Sequence, residues 1–192
     1  MPLELVAIEP HKPILREYID EPIQPNQVRF QTEFAAAKHG TELGLYTSAS
    51  VGANQRYDSE WQMFFPNEAS DIFPLGLGNM AVGSVTEVGS SVKRFKPSDK
   101  VFCHTNCRQT VTQNEDSADL RHLPEQMSWQ AAVCIDPTEF ALSAVRDGCV
   151  RVGDAVAVFG LGAIGLFIIQ LARVQGAETV FAIDPIALRR EV

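Results

Sequence analysis

Alternating apolar and polar residues predict β-strands in the first half of the chain. Residues 3–8 form a mostly apolar run, and residues 28–36 alternate, with one set of positions occupied by Val28, Phe30, Thr32, Phe34 and Ala36. A period of two residues is that of a strand with one buried face. From residue 81 to residue 102, short β-branched runs are separated by Gly, Ser and Pro. This pattern is typical of a small antiparallel barrel.

Residues 47–73 depart from the strand pattern. They are polar and loop-like, and they hold three large aromatic residues, Trp61, Phe64 and Phe65. We interpret this segment as a surface loop whose aromatic residues pack on the core or cover a substrate pocket.

The composition becomes helical after Pro124. Residues 129–133 and 139–145 are the two predicted helices, and a Gly-containing turn follows them. The composition changes once more near residue 150. We therefore predict one domain over residues 1–150 and a second over residues 151–192.

The second domain carries the pattern of a βαβ unit. An apolar run at residues 155–160, typical of a parallel strand buried on both faces, leads into Gly160-Leu161-Gly162-Ala163-Ile164-Gly165. A helix follows that ends at Gly176, with apolar residues at helical spacing at Ile164, Phe167, Ile168, Leu171 and Val174. Residues 179–183 are a second strand, closed by Asp184.

Each glycine of this G-x-G-x-x-G loop has a structural role. Gly160 permits a tight turn, Gly162 lets the backbone approach a pyrophosphate, and Gly165 lets the helix lie close to the strand. The free N–H groups at the start of the helix, at Ala163 and Ile164, are placed to bind the phosphates. The loop therefore predicts a dinucleotide site.

Asp184 predicts which dinucleotide is bound. It follows the second strand at a spacing where a carboxylate can accept hydrogen bonds from an adenosine ribose. A carboxylate repels a 2′-phosphate, so NAD is favoured over NADP as the cofactor. Arg189 and Arg190 could weaken this preference; alternatively, they are solvated charges on the next helix.

Composition and charge exclude several classes of partner. The 192 residues include 16 Lys and Arg against 24 Asp and Glu, a net charge of −8. This balance argues against nucleic acid or an anionic membrane as the main partner. The N-terminus lacks the pattern of a secretory signal, so we expect a cytoplasmic protein with reduced cysteines. Cys103 and Cys107 are not followed by a second pair at zinc-finger spacing.

Five segments match, in order, the motifs of one enzyme superfamily. Residues 38–43 resemble its C-G-[ST]-[DE] segment, residues 74–83 its P-x-x-x-G-H-E-x-x-G segment, and residues 85–101 its V-x-x-V-G…F-x-x-G-D-R-V segment. Asp136-Pro137 resembles its acid-proline segment, and the glycine loop resembles its cofactor loop. The whole chain thus resembles the medium-chain dehydrogenase/reductase superfamily, close to its zinc-type alcohol and polyol dehydrogenases.

This resemblance implies an α/β plus β fold. Residues 1–150 would form a GroES-like β-barrel catalytic domain, and residues 151–192 the start of a Rossmann doubly wound parallel sheet that holds NAD. Such a sheet normally has about six strands. We therefore expect the chain to be part of a longer polypeptide, and the full-length protein to be a homo-oligomer.

The residues at the zinc-ligand positions depart from the family pattern. His39 stands in place of a cysteine ligand, Asn79 in place of a histidine, and Met80 in place of the adjacent glutamate. Asp136 falls where some members place an acidic ligand. Asn is a poor zinc ligand and the Met thioether is soft and neutral, so we predict that catalytic zinc is not bound.

The resemblance also implies a reaction. We predict an NAD(H)-dependent oxidoreductase that interconverts an alcohol or polyol with its ketone or aldehyde by hydride transfer. Thr41 matches the hydroxyl that relays the proton, and His39, oriented by Asp136, would act as the acid/base or electrophile in place of the metal. Alternatively, His39 is only a replaced ligand in a drifted site.

Two other functions stay open at this point. One is the zinc-free reduction of an enone or quinone, and the other is nucleotide binding without catalysis.

Overall fold

The computed structural model describes residues 1–48, 55–66 and 72–191, except for the side chains of His39 and Arg56. The chain divides into two compact units, Met1–Val133 and Cys134–Val192. The predicted boundary near residue 150 separates a catalytic from a cofactor-binding domain, and that assignment stays a prediction.

The first unit is built mainly from antiparallel strands. In chain order these are β1 (Leu3–Ala7), β2 (Pro13–Glu17), β3 (Gln27–Ala36), β4 (Gln55–Asp58), β5 (Met63–Pro66), β6 (Leu75–Gly76), β7 (Met80–Val88), β8 (Lys100–His104), β9 (Thr110–Asn114) and β10 (Arg121–His122). Its helices are α1 (His39–Tyr46) and α2 (Trp129–Ala132). The strands predicted at residues 3–8, at 28–36 and within 81–102 are confirmed.

These strands form three sheets. The largest has the order β10-β8-β7-β3-β9, a second has the order β2-β1-β6, and β4 pairs with β5 alone. The outer strands of the largest sheet, β10 and β9, do not pair with each other. The predicted barrel is therefore not closed within the part of the chain that the structure describes.

Apolar side chains of the five-stranded sheet and its loops form the core of the first unit. The buried cluster consists of Val28, Phe30, Ala81, Val85, Phe95, Val101, Cys103, Val111 and Leu120. Removing such side chains from water is the main favourable contribution to folding. Burial, together with the nearby charge of Asp119, raises the pKa of the Cys103 thiol to about 12. This thiol is protonated at neutral pH, and the four cysteines of the chain form no disulfide.

Strand β3 does not keep one alternation along its length. Phe30 is fully buried, whereas Phe34 is 40% exposed. The pairing of β3 with β7 shifts between Arg29 and Phe30, and again between Thr32 and Phe34. A bulge changes the face to which the following side chains point. The prediction that Phe34 shares a face with Phe30 is therefore wrong.

Residues 55–66 form a hairpin where the sequence predicts a loop. Strand β4 pairs with β5 in antiparallel register and places Tyr57 opposite Phe64. The two rings lie 5.1 Å apart between centroids and are both largely exposed. The prediction of a loop over residues 47–73 is wrong for this hairpin, and residues 49–54 and 67–71 lie outside the described residues.

The second unit is the predicted βαβ arrangement with two further helices. Its elements are α3 (Ile135–Asp147), β11 (Ala155–Phe159), α4 (Ala163–Gln175), β12 (Thr179–Ile183) and α5 (Ala187–Arg190). Strands β11 and β12 pair in parallel, and α3 packs against α4. The predicted strands, the predicted helix after the glycine loop and its end at Gly176 are confirmed.

Burial in the second unit differs from the sequence expectation. The sequence predicts β11 as buried on both faces, but Phe159 is 77% exposed. Val174, on the predicted apolar face of α4, is 84% exposed. A parallel sheet is buried only when helices cover both of its faces. The elements are therefore predicted correctly, while their burial is not.

The helices are short. The longest, α3 and α4, have 13 residues each. Within the described ranges, we find no helix with the length and apolar character needed to cross a membrane.

The two phenylalanines of β3 provide a test of the bulges. We expect Phe30→Ala to lower the free energy of unfolding by about 3–5 kcal/mol, because it leaves a cavity in the core. Phe34→Ala should cost less than about 1 kcal/mol, because its ring is already partly in water. Urea denaturation followed by tryptophan fluorescence measures both. Equal losses for the two variants would contradict the bulged register.

Candidate functional site

The turn between β11 and α4 contains the predicted glycine loop. Gly160 has a φ of +89°, in the left-handed region that side chains with a Cβ rarely adopt. Its N–H donates a hydrogen bond to the Ile183 carbonyl at 2.8 Å, which fixes the turn against the end of β12. The role predicted for Gly160 in the tight turn is supported by this geometry.

Gly165 and Gly162 differ in what surrounds them. A Cβ on Gly165 would lie 1.9 Å from the carbonyl oxygen of Gly160, so only glycine lets α4 approach the loop this closely. A Cβ on Gly162 would meet no protein atom within 4 Å. Open space at Gly162 is what the close approach of a pyrophosphate requires.

The first turn of α4 lies beside this open space. Gly162 is the N-cap residue and supplies no side-chain hydrogen bond to the helix. The N–H groups of the first turn, which include those of Ala163 and Ile164, have no partner within the helix itself. Such a helix start favours an anionic group, so the loop fits a dinucleotide phosphate.

Asp184 connects the glycine loop to the end of β12. Its side chain is only 2% exposed. Its Oδ2 accepts a hydrogen bond from the N–H of Leu161 at 2.8 Å, and its Oδ1 accepts one from the N–H of Ile186 at 2.7 Å. These backbone donors hold the pKa of the carboxyl below its ordinary value because they favour the ionised form, and the Leu161 N–H makes the largest contribution.

Two arginines of α5 pack around Asp184. The guanidinium of Arg189 lies 3.5 Å from Oδ2 of Asp184. Arg190 donates a hydrogen bond to the main-chain carbonyl of Asp184 at 2.5 Å. Both arginines are exposed, as expected for solvated charges on the next helix, and each also contacts Asp184.

The second group of predicted residues begins on α1. His39 is the first residue of this helix, and its side chain lies outside the described part. Thr41 follows on the first turn and is exposed. Glu42 accepts two backbone hydrogen bonds: Oε1 from the N–H of Lys38 at 2.6 Å, and Oε2 from the N–H of Gly78 at 2.9 Å.

Gly78 lies in the short loop between β6 and β7. It has a φ of +119°, and a Cβ there would lie 2.2 Å from the backbone nitrogen of Cys107. Cys107 is half-buried. Burial raises the pKa of its thiol, and the negative charge of Glu42 raises it further. Asn79, the next residue, donates its N–H to the Ala36 carbonyl at 2.9 Å.

The residues at the zinc-ligand positions do not fit that metal. Met80 is the first residue of β7 and is 1% exposed, so it is a core side chain. Asn79 offers a neutral amide, which is a poor ligand for zinc. Among the side chains that are described, which leave out His39, no three of His, Cys, Asp and Glu come together.

Asp136 belongs to the second unit. It is the second residue of α3 and is 5% exposed. His39 and Thr41 belong to the first unit, so the catalytic roles predicted for these three residues stay predictions.

Local sequence predicts only part of the link made by Glu42. The available signal was an acidic residue in the first turn of a predicted helix, which commonly accepts N–H groups at the helix start. Its second bond, to Gly78, joins residues 36 apart in the sequence, and local patterns do not predict such a contact.

Comparison with known proteins establishes the family. Residues 48–151, more than half of the chain, match the alcohol dehydrogenase GroES-like domain family. The chain belongs to the medium-chain dehydrogenase/reductase superfamily. This confirms the predicted family and the predicted fold, of which the chain contains a GroES-like part and the start of the Rossmann part.

Several members of the superfamily are similar to most of this chain. It is 43% identical to D-guloside 3-dehydrogenase of Escherichia coli (strain K12), over 98% of the chain and 56% of that protein. It is 31% identical to sorbitol dehydrogenase of Rattus norvegicus, over 60% of the chain and 41% of that protein. The chain thus spans about half the length of these relatives.

A solved structure supports the fold. The 2R,3R-butanediol dehydrogenase of Bacillus subtilis superposes with a TM-score of 0.77 at 19% identity, over all of this chain and 60% of that one. At this level of identity the similarity concerns the fold alone.

The two glycines with different surroundings allow a matched test of the loop. Gly165→Ala should lower the thermal stability and NADH affinity together, because its Cβ pushes α4 away from Gly160. Gly162→Ala should leave the thermal transition unchanged and weaken NADH binding by about tenfold or more, since its methyl group occupies the space that a pyrophosphate needs. Differential scanning fluorimetry and NADH fluorescence titration of the full-length protein measure the two effects. Wild-type NADH affinity in Gly162→Ala would refute a phosphate site there.

Proposed function

We propose that this chain is the substrate-binding and cofactor-loop part of an NAD(H)-dependent dehydrogenase that interconverts an alcohol or polyol with its ketone or aldehyde. One observation carries the proposal: the loop from Gly160 to Gly165 is open at Gly162 and tied at Leu161 to a buried carboxylate, Asp184. This arrangement in the second unit fits a dinucleotide, and we assign the binding of the substrate to the first unit.

The cofactor would be held by backbone groups and one carboxylate. The N–H groups of Ala163, Ile164 and Gly165 would bind its phosphates. Each carboxylate oxygen has two acceptor positions, so Oδ1 of Asp184 can bind a ribose hydroxyl while it keeps the Ile186 hydrogen bond. When bound, a nicotinamide dinucleotide accepts the hydride in oxidation and supplies it in reduction.

Residues of the first unit would transfer the proton of the substrate hydroxyl. Thr41 lies on the first turn of α1, two residues after His39, and is an exposed residue. We assign it the role of relaying the proton, and His39 that of the acid/base. The pKa of an unperturbed imidazole lies close to neutral pH, which suits both directions of the reaction.

Zinc has no part in this proposal. Met80 is a buried core residue and Asn79 carries an amide, so the donor set does not suit the metal. The group that holds the substrate oxygen must then come from the protein itself.

The names of the relatives indicate the class of substrate. One is a guloside dehydrogenase and another a sorbitol dehydrogenase, so both act on polyhydroxylated compounds. We propose that this protein also acts on a polyol or on a sugar derivative with a free secondary hydroxyl.

Asp184 sets the expected preference between cofactors. We expect the full-length protein to bind NADH more tightly than NADPH, because the Asp184 carboxylate repels a 2′-phosphate. Arg189→Ala should enlarge the difference, since it removes a positive charge 3.5 Å from that carboxylate. Fluorescence titration with both nucleotides measures the preference. Tighter binding of NADPH to the wild type would refute the assignment.

A substrate panel tests the reaction. We expect NAD reduction with polyols or glycosides and NADH oxidation with the corresponding ketones, with little oxidation in the presence of enones or quinones. His39→Ala should lower turnover by about tenfold or more, because it removes the acid/base. Absorbance at the nicotinamide band follows both directions, and metal analysis of protein purified without chelators tests the zinc question separately.

The other outcomes point to different functions. Turnover of enones alone would support a zinc-free reductase, and tight NADH binding without any turnover would support a nucleotide-binding protein that has lost catalysis. Wild-type turnover in His39→Ala would mean that His39 is only a replaced ligand.

A further inference from the structure

Glu42 lies between two segments, and the first of them carries candidate catalytic residues. One is the start of α1, with His39 and Thr41, and the other is the loop before β7, with Asn79. The Glu42 carboxylate accepts an N–H bond from each segment, at 2.6 Å from Lys38 and at 2.9 Å from Gly78. Hydrogen bonds to an ionised acceptor are stronger than neutral ones, so this side chain ties the segments together.

The loop is shaped so that its backbone can reach Glu42. Gly78 has a positive φ of +119°, and a Cβ there would come within 2.6 Å of Cys107 Sγ. The backbone of Cys107 donates to the Leu77 carbonyl at 2.7 Å. This close packing leaves the Gly78 N–H directed at the carboxylate, which a residue with a side chain would not allow without displacing Cys107.

Asn79 is held from both sides by the same network. Its N–H donates to the Ala36 carbonyl at 2.9 Å, and its carbonyl accepts from the N–H of Thr105 at 3.0 Å. Its backbone position is therefore set by β3 on one side and by the segment after β8 on the other. The Glu42 carboxylate links the start of α1 to this loop.

We propose that Glu42 is a positioning residue for the reaction: it holds α1, with His39 and Thr41, in register with the loop that carries Asn79. The inference rests on the proposed function, because it assigns the two segments to one substrate site. A displacement of about 1 Å between reacting groups can cost about a hundredfold in rate. A charged link between the segments prevents such a displacement.

Replacement of Glu42 by glutamine tests the role. Glu42→Gln keeps the size of the side chain but presents an NH2 group to one of the two N–H donors, so one link is lost. In the full-length protein, kcat with the best substrate of the panel should fall by about tenfold or more. The primary deuterium isotope effect on kcat should rise, because hydride transfer becomes slower than the other steps.

Two comparisons separate positioning from a general loss of structure. NADH affinity should be unchanged in Glu42→Gln, since the dinucleotide loop belongs to the second unit. The matched control is Glu33→Gln. Glu33 is an exposed carboxylate of the same unit that is bonded to Ser84 and Lys100. This control should keep the wild-type kcat and isotope effect.

The possible results distinguish the role of Glu42 from the proposed function. Wild-type kcat and isotope effect in Glu42→Gln would overturn the role of Glu42 while leaving the proposed function intact. An inactive wild type with normal NADH binding would overturn the proposed function, and the role of Glu42 with it. If Glu42→Gln does not fold, Glu42→Asp keeps both acceptor oxygens on a shorter arm, and a wild-type isotope effect in that variant would overturn the role.

Discussion

The pairing of β3 with β7 is the constraint on which the first unit depends. The two strands lie at the centre of the five-stranded sheet, and their antiparallel register places Ala36 opposite Met80. The end of one strand therefore lies beside the start of the other. His39 and Thr41 follow the first strand, and Asn79 precedes the second, so residues that are 40 positions apart in the chain are attached to neighbouring points of the sheet. Glu42 then adds a side-chain link between the same two segments.

In the second unit, too, segments that are separated in the chain are joined at the ends of two strands. Parallel strands bring their carboxyl ends to one edge of a sheet, which is where ligands bind in open α/β folds. Here the two ends are joined twice: by the Gly160 N–H bond to Ile183, and by the Asp184 carboxylate bond to Leu161. Asp184 is thus both a candidate ribose acceptor and a structural part of the loop. A substitution at Asp184 would change the loop geometry together with the proposed cofactor preference, which is why Arg189 is the more informative residue to change.

The features of this fold that are predictable from the sequence are those that depend on short-range interactions. The glycine loop, its helix and Asp184 were predictable because turn, helix start and strand end follow one another within a short segment. The exposure of Phe34 was not, because the bulges arise from pairing with a distant strand. The hairpin at residues 55–66 was not predicted because polar residues flank it in the sequence. Its two strands pair with each other in a two-stranded sheet. The burial of β11 was overestimated, because an apolar strand is buried only where other elements cover it.

The sequence by itself determined the superfamily, the order of the elements in the βαβ unit and the backbone requirements of its glycine loop. Each of these depends on residue types at short, fixed spacings, where backbone sterics and helix geometry leave few alternatives. Only the tertiary structure decided that Met80 is a core residue, that Gly165 must lack a Cβ because of Gly160, and that Glu42 bonds to Gly78. These facts depend on the close approach of segments that are separated in sequence or turned toward each other, and such distances are set by packing rather than by local pattern.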